Sequence, residues 1–177
     1  IKGSITLQDG DVFENQKLRY KAYGDELVVF NSNIRKLFIV DKEKVSRFTL
    51  KHETGNMHFI RLYFDGLISG YRYFEQLHHG ANRLLVFHSI REEKTNPYLN
   101  KHGKLKDTRF ELRKTYFLYS AGTGFYKLKP HRRSFLRLYP DKKRQIRQIF
   151  RKNNIRNFDQ KNMLRAVQLL EEAGFTK

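Results

Sequence analysis

Apolar and polar residues alternate with a period of two through most of the first 130 positions. In the segment 17–23, Leu18, Tyr20 and Ala22 fall on one face and Arg19 and Lys21 on the other, the pattern of a half-buried strand. The same rhythm predicts strands at Gly3–Leu7, Val12–Phe13, Leu27–Phe30, Leu37–Val40, Val45–Leu50, His58–Phe64, Tyr71–Leu77 and Leu84–Ser89. After an interruption it returns at Phe110–Tyr119 and Gly124–Lys129. Turn-forming residues stand between these runs, among them Asp9-Gly10, Gly24-Asp25 and Gly122-Thr123-Gly124. Short strands punctuated in this way predict an antiparallel meander, closed as a barrel or folded as a sandwich. Phe110, Leu112, Thr115 and Phe117 do not keep one alternation, and a bulge near Lys114 is expected there. No sequence repeat of fixed period accompanies the strands.

Two segments depart from this rhythm. Residues 91–108 read as a long charged loop, either an insertion or a docking segment that orders on a partner. From Pro140 the period changes to that of a helix. Asp141 is a candidate cap, Ile146, Ile149 and Phe150 share one face, and Asn153-Asn154 marks the end. A second helix is expected from Asp159, burying Met163, Leu164, Val167, Leu169 and Leu170 and stopping at Gly174. The expected fold is α+β in a single domain: mainly an antiparallel β meander over 1–90 and 109–130, with a C-terminal αα-hairpin over 140–174.

Composition supports that class. Fifteen Phe and ten Tyr in 177 residues favour pleated sheet over helical bundle. No apolar run approaches the roughly 18 residues that span a bilayer as a helix. The chain has no Cys, which excludes disulfides and thiolate chemistry. It begins at Ile1 and not at Met, and a cleaved signal peptide is one reading of that start.

Charge changes the picture more. Residues 91–157 hold 20 of the 36 Lys and Arg against five acids, whereas residues 1–90 hold 13 basic and 10 acidic side chains. One third of the chain therefore generates nearly all of the field, which draws in nucleic acid, anionic lipid or an acidic protein. Within it, Lys127, Lys129, Arg132, Arg133 and Arg137 are interleaved with Phe125, Tyr126, Phe135 and Tyr139, and Lys142, Lys143, Arg144, Arg147 and Arg151 follow on the predicted helix. Cations beside rings suit phosphates and stacked bases, although rings at alternating strand positions are commonly core. A basic amphipathic helix also suits an anionic bilayer, but three large apolar side chains make too small a face.

No residue pattern in the chain points to catalytic chemistry. His78-His79 beside Glu75 is the only adjacent His pair, and neighbours on a strand point to opposite faces, away from a shared metal. Asp25-Glu26, Glu92-Glu93 and Glu171-Glu172 fall at turns or helix ends, where solvated carboxylates are expected. No Gly-x-Ser-x-Gly elbow and no phosphate-cradling glycine loop occurs. The chain reads as a non-enzymatic protein with no catalytic residues, no metal and no cofactor.

The run Lys2-Gly3-Ser4-Ile5-Thr6-Leu7-Gln8-Asp9-Gly10, then Leu18–Tyr23 with Asp25–Val29 and Val45–Leu50, resembles a widespread group of small exported β-rich proteins of the Bacteroidota cell envelope. Tyr73–Leu77 with Arg83–Leu85, Tyr116–Tyr119 and the stretch from Tyr139 to Leu170 fit the same layout. The resemblance implies a signal peptide removed upstream of Ile1, residence in the periplasm or at the periplasmic face of the outer membrane, and no catalytic residues to carry over. It implies an accessory subunit, for instance of a type IX secretion translocon. The cationic excess departs from an average member of that group, and in this setting Lys127, Lys129, Arg132, Arg133, Arg137, Lys142, Lys143, Arg144, Arg147 and Arg151 would dock on an acidic protein partner or phosphorylated lipid. The alternative from the residues alone is a cytoplasmic nucleic-acid-binding module using the same surface.

Overall fold

The computed structural model describes residues 1–66, 69–93 and 109–175. Its strands are β1 (Lys2–Leu7), β2 (Val12–Lys21), β3 (Glu26–Asn31), β4 (Lys36–Ile39), β5 (Val45–His52), β6 (Gly55–Phe64), β7 (Gly70–His78), β8 (Arg83–Glu93), β9 (Arg109–Ser120) and β10 (Gly124–Leu128). Three helices follow: α1 (Arg132–Leu138), α2 (Lys143–Lys152) and α3 (Gln160–Glu172). The protein is α+β and mainly β, with its helices at the C-terminal end, as the periodicity predicts.

All ten strands form one antiparallel sheet in the order β10-β9-β8-β7-β6-β5-β1-β2-β3-β4. The sheet is open, with β10 and β4 as edges, so the expected closure into a barrel or folding into a sandwich does not occur. Two meanders meet where β5 returns to pair with β1 instead of β4. A Cβ on Gly3 would collide with the Thr49 carbonyl oxygen across that β1–β5 seam, so the strands approach this closely because position 3 carries no side chain.

The return connection explains the curl of the N-terminal half. In a flat sheet β4 and β5 would stand four strand spacings, about 19 Å, apart. The link between Ile39 and Val45 contains a 3-10 turn, Lys42–Lys44, and a connection of that length with such a turn reaches only about 16 Å. The strands must bend toward one another. Ile5, Leu18, Leu27, Val45, Phe48, Leu50, Phe59 and Tyr73 fill the resulting concavity as one cluster. Phe48 lies flat on Phe59 at 4.6 Å, and Tyr73 meets Phe48 edge-on at 5.0 Å.

Beyond this half the sheet splits. The β7–β8 ladder covers only Glu75↔Val86 to His78↔Leu84, so the first half of β7 is free of β8. The β2–β3 turn fills the gap. There the Asp25 carboxylate accepts from Tyr20 Oη at 2.8 Å, Lys42 Nζ at 2.5 Å and the Tyr73 backbone N–H at 3.3 Å. Asp25 is 4% exposed and in the left-handed region at φ 52°, so it is no solvated turn carboxylate as the sequence suggests. Burial pushes its pKa up, while the hydrogen bond from Lys42 pulls the other way. Arg61 Nη1 donates to the carbonyls of Lys42 and Glu43, which fixes the β4–β5 link over the same strands. Just inside the split, Glu75 and His88 are buried and hydrogen-bonded to each other at 2.7 Å.

The distal half also differs from the expectation. The β8–β9 ladder runs unbroken from Arg83↔Tyr119 to Glu93↔Arg109, with no bulge at Lys114. Residues 91–93 of the expected loop belong to β8, and the remaining 94–108 lie outside the described residues. The helical hairpin is a three-helix layer, because Arg132–Leu138 is also helical.

Asp25→Ala removes the acceptor of three donors and should destabilise the fold by about 2–3 kcal/mol. Asp25→Asn keeps an acceptor for Tyr73 and tolerates the positive φ, so it should lose distinctly less. Urea unfolding of both variants checks this; equal losses would show that the amide hydrogen bond contributes nothing.

Candidate functional site

The helical layer rests on one face of β7–β10. Leu84, Leu118 and Leu128 from the sheet pack against Phe135, Leu136, Leu138, Ile146, Phe150, Met163, Val167 and Leu170 from the helices. Phe135, Phe150 and Phe158 form a ring cluster with centroid separations of 5.4–5.7 Å that joins α1 to α2 and to the start of α3. Each helix is placed by local chemistry. His131 Nδ1 accepts the Ser134 N–H to start α1, and Asp159 accepts the Asn162 N–H to start α3, as its position predicts. α2 begins without a side-chain cap, because Asp141 sits in the preceding 3-10 turn Pro140–Lys142. It ends at Asn153-Asn154, with Asn154 at φ 53°, and α3 ends before Gly174 at φ 75°.

A latch ties this layer to the sheet. Glu171, near the end of α3, accepts from the Ala81 N–H at 2.6 Å and pairs with His78 at the end of β7. It is therefore engaged, whereas its neighbour Glu172 is exposed. Alongside, the Phe175 carbonyl accepts from Asn82 Nδ2 at 2.9 Å and Tyr139 Oη at 3.2 Å. His79 is held apart from His78 by a 2.7 Å contact with Gln76.

The outward surface of this layer is cationic. Residues 129–158 contain eleven Lys and Arg against one acid, Asp141. Lys129, Arg132, Arg133, Arg137, Lys142, Lys143, Arg144, Arg147 and Arg151 are all exposed, and none makes an ion pair among the described residues. Lys127 does not belong with them. It lies between Tyr126 and Leu128, which face the helices, and so projects from the opposite face of β10.

Two properties of this surface bear on what it can do. None of the interleaved rings stands free on this surface: Phe135 is fully buried, Tyr126 and Tyr139 are half-buried against the helical core, with burial pushing the Tyr139 pKa up, and Phe125 lies on the opposite face of β10. Stacking platforms for bases are therefore missing from the cationic face. Four of the cations also oppose helix stability. Arg132 and Arg133 occupy the first turn of α1, Lys143 and Arg144 that of α2, and neither turn contains an acid. Each such cation at a helix N-terminus works against the dipole by about 0.3–1 kcal/mol.

No protein-family model, no curated protein and no solved structure matches this chain. No helix among the described residues is long and apolar enough to cross a membrane, and no cluster of three potential metal ligands occurs among them.

The latch carries a pH signature. The His78 contact holds the Glu171 carboxyl below its ordinary range. A depressed folded pKa gives stability that is present above the unfolded value and lost as pH falls through the folded one. Glu171→Gln should therefore melt below the wild type at neutral pH, with the gap closing as pH drops through and below the usual carboxylate range. Melting curves across that range test it; a gap independent of pH would contradict a latch that depends on the Glu171 carboxylate.

Proposed function

We propose that the protein is a non-enzymatic docking component whose helical layer binds an acidic protein surface through Lys129, Arg132, Arg133, Arg137, Lys142, Lys143, Arg144, Arg147 and Arg151. One observation carries the reading: these cations are exposed and unpaired, and several sit at helix N-termini, where they weaken the helices that bear them. Folding does not account for that arrangement, and recognition of a negative partner does. A protein partner is favoured over nucleic acid because the rings that would stack on bases are turned into the core or, for Phe125, onto the opposite face of the sheet. A bilayer is disfavoured because Ile146 and Phe150 are buried under α2 and leave no broad apolar face to insert.

The setting follows from the sequence resemblance to exported envelope proteins of the Bacteroidota. In that setting the protein is an accessory subunit at the periplasmic face of the outer membrane, and a protein-secretion complex of type IX kind is the assembly it would join. Its partner would present clustered Asp and Glu to the helical layer.

Affinity capture with the tagged protein from its own cells, split into nuclease-treated and untreated halves, tests this against a triple variant, Arg144→Gln, Arg147→Gln and Arg151→Gln. The same acidic protein should come down from both wild-type halves and fade at about 0.5 M salt, where the screening length shrinks to a few ångströms. The triple variant should lose it while melting close to the wild type, because the relief from removing Arg144 at the start of α2 offsets the loss of Arg151 at its end. Nuclease-sensitive capture, or undiminished capture by the variant, would overturn the reading.

A further inference from the structure

The face of β7–β10 opposite the helices is built differently. Leu85, Phe117 and Phe125 stand one residue out of phase with the residues under the helices, and with Phe64, Phe74, Phe87 and Tyr119 they form a separate aromatic cluster. Phe74 lies 5.0 Å from Phe125 and 5.9 Å from Phe117, and Phe64 reaches across from β6 to within 5.4 Å of Phe117. Phe74 and Phe117 are buried, whereas Phe64, Phe87, Tyr119 and Phe125 remain half-exposed. They surround a cavity of about 930 Å³. Its far wall is the β2–β3 turn, Ala22–Asp25, standing in the split between β7 and β8. The volume lies within the roughly 300–1,000 Å³ of sites that take small organic ligands, which are likewise lined by rings with a few polar groups.

The polar groups of this lining have a sign. Asp25 is already engaged by Lys42, leaving exposed Asp65 as the other acid of the wall. Against it stand Arg72 on β7 and Lys127 on β10, neither with a carboxylate partner among the described residues. Lys127 is the cation that the sheet pleat separates from the helical surface.

We propose that this cavity is a binding site for an amphiphilic carboxylate, a long-chain fatty acid in chemical class. The rings take the hydrocarbon body, and Arg72 and Lys127 supply the counter-charge for the carboxylate. The site is independent of the docking surface, which lies on the other side of the sheet.

The experiment titrates the full chain with the fluorescent fatty acid cis-parinaric acid and competes it with palmitate and with hexadecanol. Saturable binding of one probe per chain is expected, with palmitate displacing it more strongly than the alcohol. Thr115→Trp places an indole in the cavity from a half-buried position and should abolish binding. Arg72→Gln with Lys127→Gln should weaken palmitate about tenfold or more and remove its advantage over hexadecanol. The triple Gln variant of α2 should bind as the wild type does, separating this site from electrostatic adsorption on the helices. Circular dichroism melts report the fold of each variant, and the charge variants keep the test decisive if Thr115→Trp does not fold. Absence of saturable wild-type binding overturns the proposal, as does binding unchanged in a folded Thr115→Trp variant or in the Arg72/Lys127 variant, or binding lost in the α2 variant.

Discussion

The carboxylate of Asp25 is the contact on which the rest of the structure depends. It lies in the β2–β3 turn, yet its donors come from β2, from the β4–β5 link and from β7, 48 residues further along the chain. One buried acceptor thus holds the curled N-terminal strands in the gap left where β7 and β8 part. The burial is costly, and Lys42 offsets it while also lying 5.2 Å above the Tyr73 ring. Without this clamp nothing polar would satisfy the Tyr73 N–H on the free edge of β7, and the wall that closes the aromatic cavity would have no anchor.

The sheet then separates two chemistries by its pleat alone. On one face, β7–β10 support helices whose apolar sides are spent on the core and whose outer sides hold unpaired cations. On the other, the same strands offer half-exposed rings and two isolated cations to a cavity. Lys127 shows how sharp the division is, since its neighbours Tyr126 and Leu128 serve one face and it serves the other. A docking surface and an amphiphile site can therefore coexist in 177 residues without sharing a side chain.

Much of this was legible in the chain. The alternation of Leu18 with Arg19 and the apolar spacing of Ile146 and Phe150 specify strand and helix because each reflects a local period. Asp159 and Gly174 mark the ends of α3 for equally local reasons. What escaped was set by distant contacts. Arg132–Leu138 is a short run with one ring, Phe135, among its cations and its cap comes from His131, an unusual capping residue; the packing of Phe135 on Phe150 is what holds it against the other helices. Gly24-Asp25 looks like any exposed turn until β7 is placed beside it. The sheet order, with β1 between β2 and β5, follows from how the curl closes and has no local signature. The cationic surface was readable as composition, but which face Lys127 occupies required the register of β10.

Amide hydrogen exchange at Tyr73 tests the central claim most directly, because its N–H has no β8 partner and depends on Asp25. If the clamp holds the two halves together, Tyr73 exchanges as slowly as the residues of the paired half of β7, opening only with global unfolding. Rapid exchange at Tyr73 beside slow exchange at Gln76 would contradict the account and show the β2–β3 turn to be detached from the sheet it is said to hold.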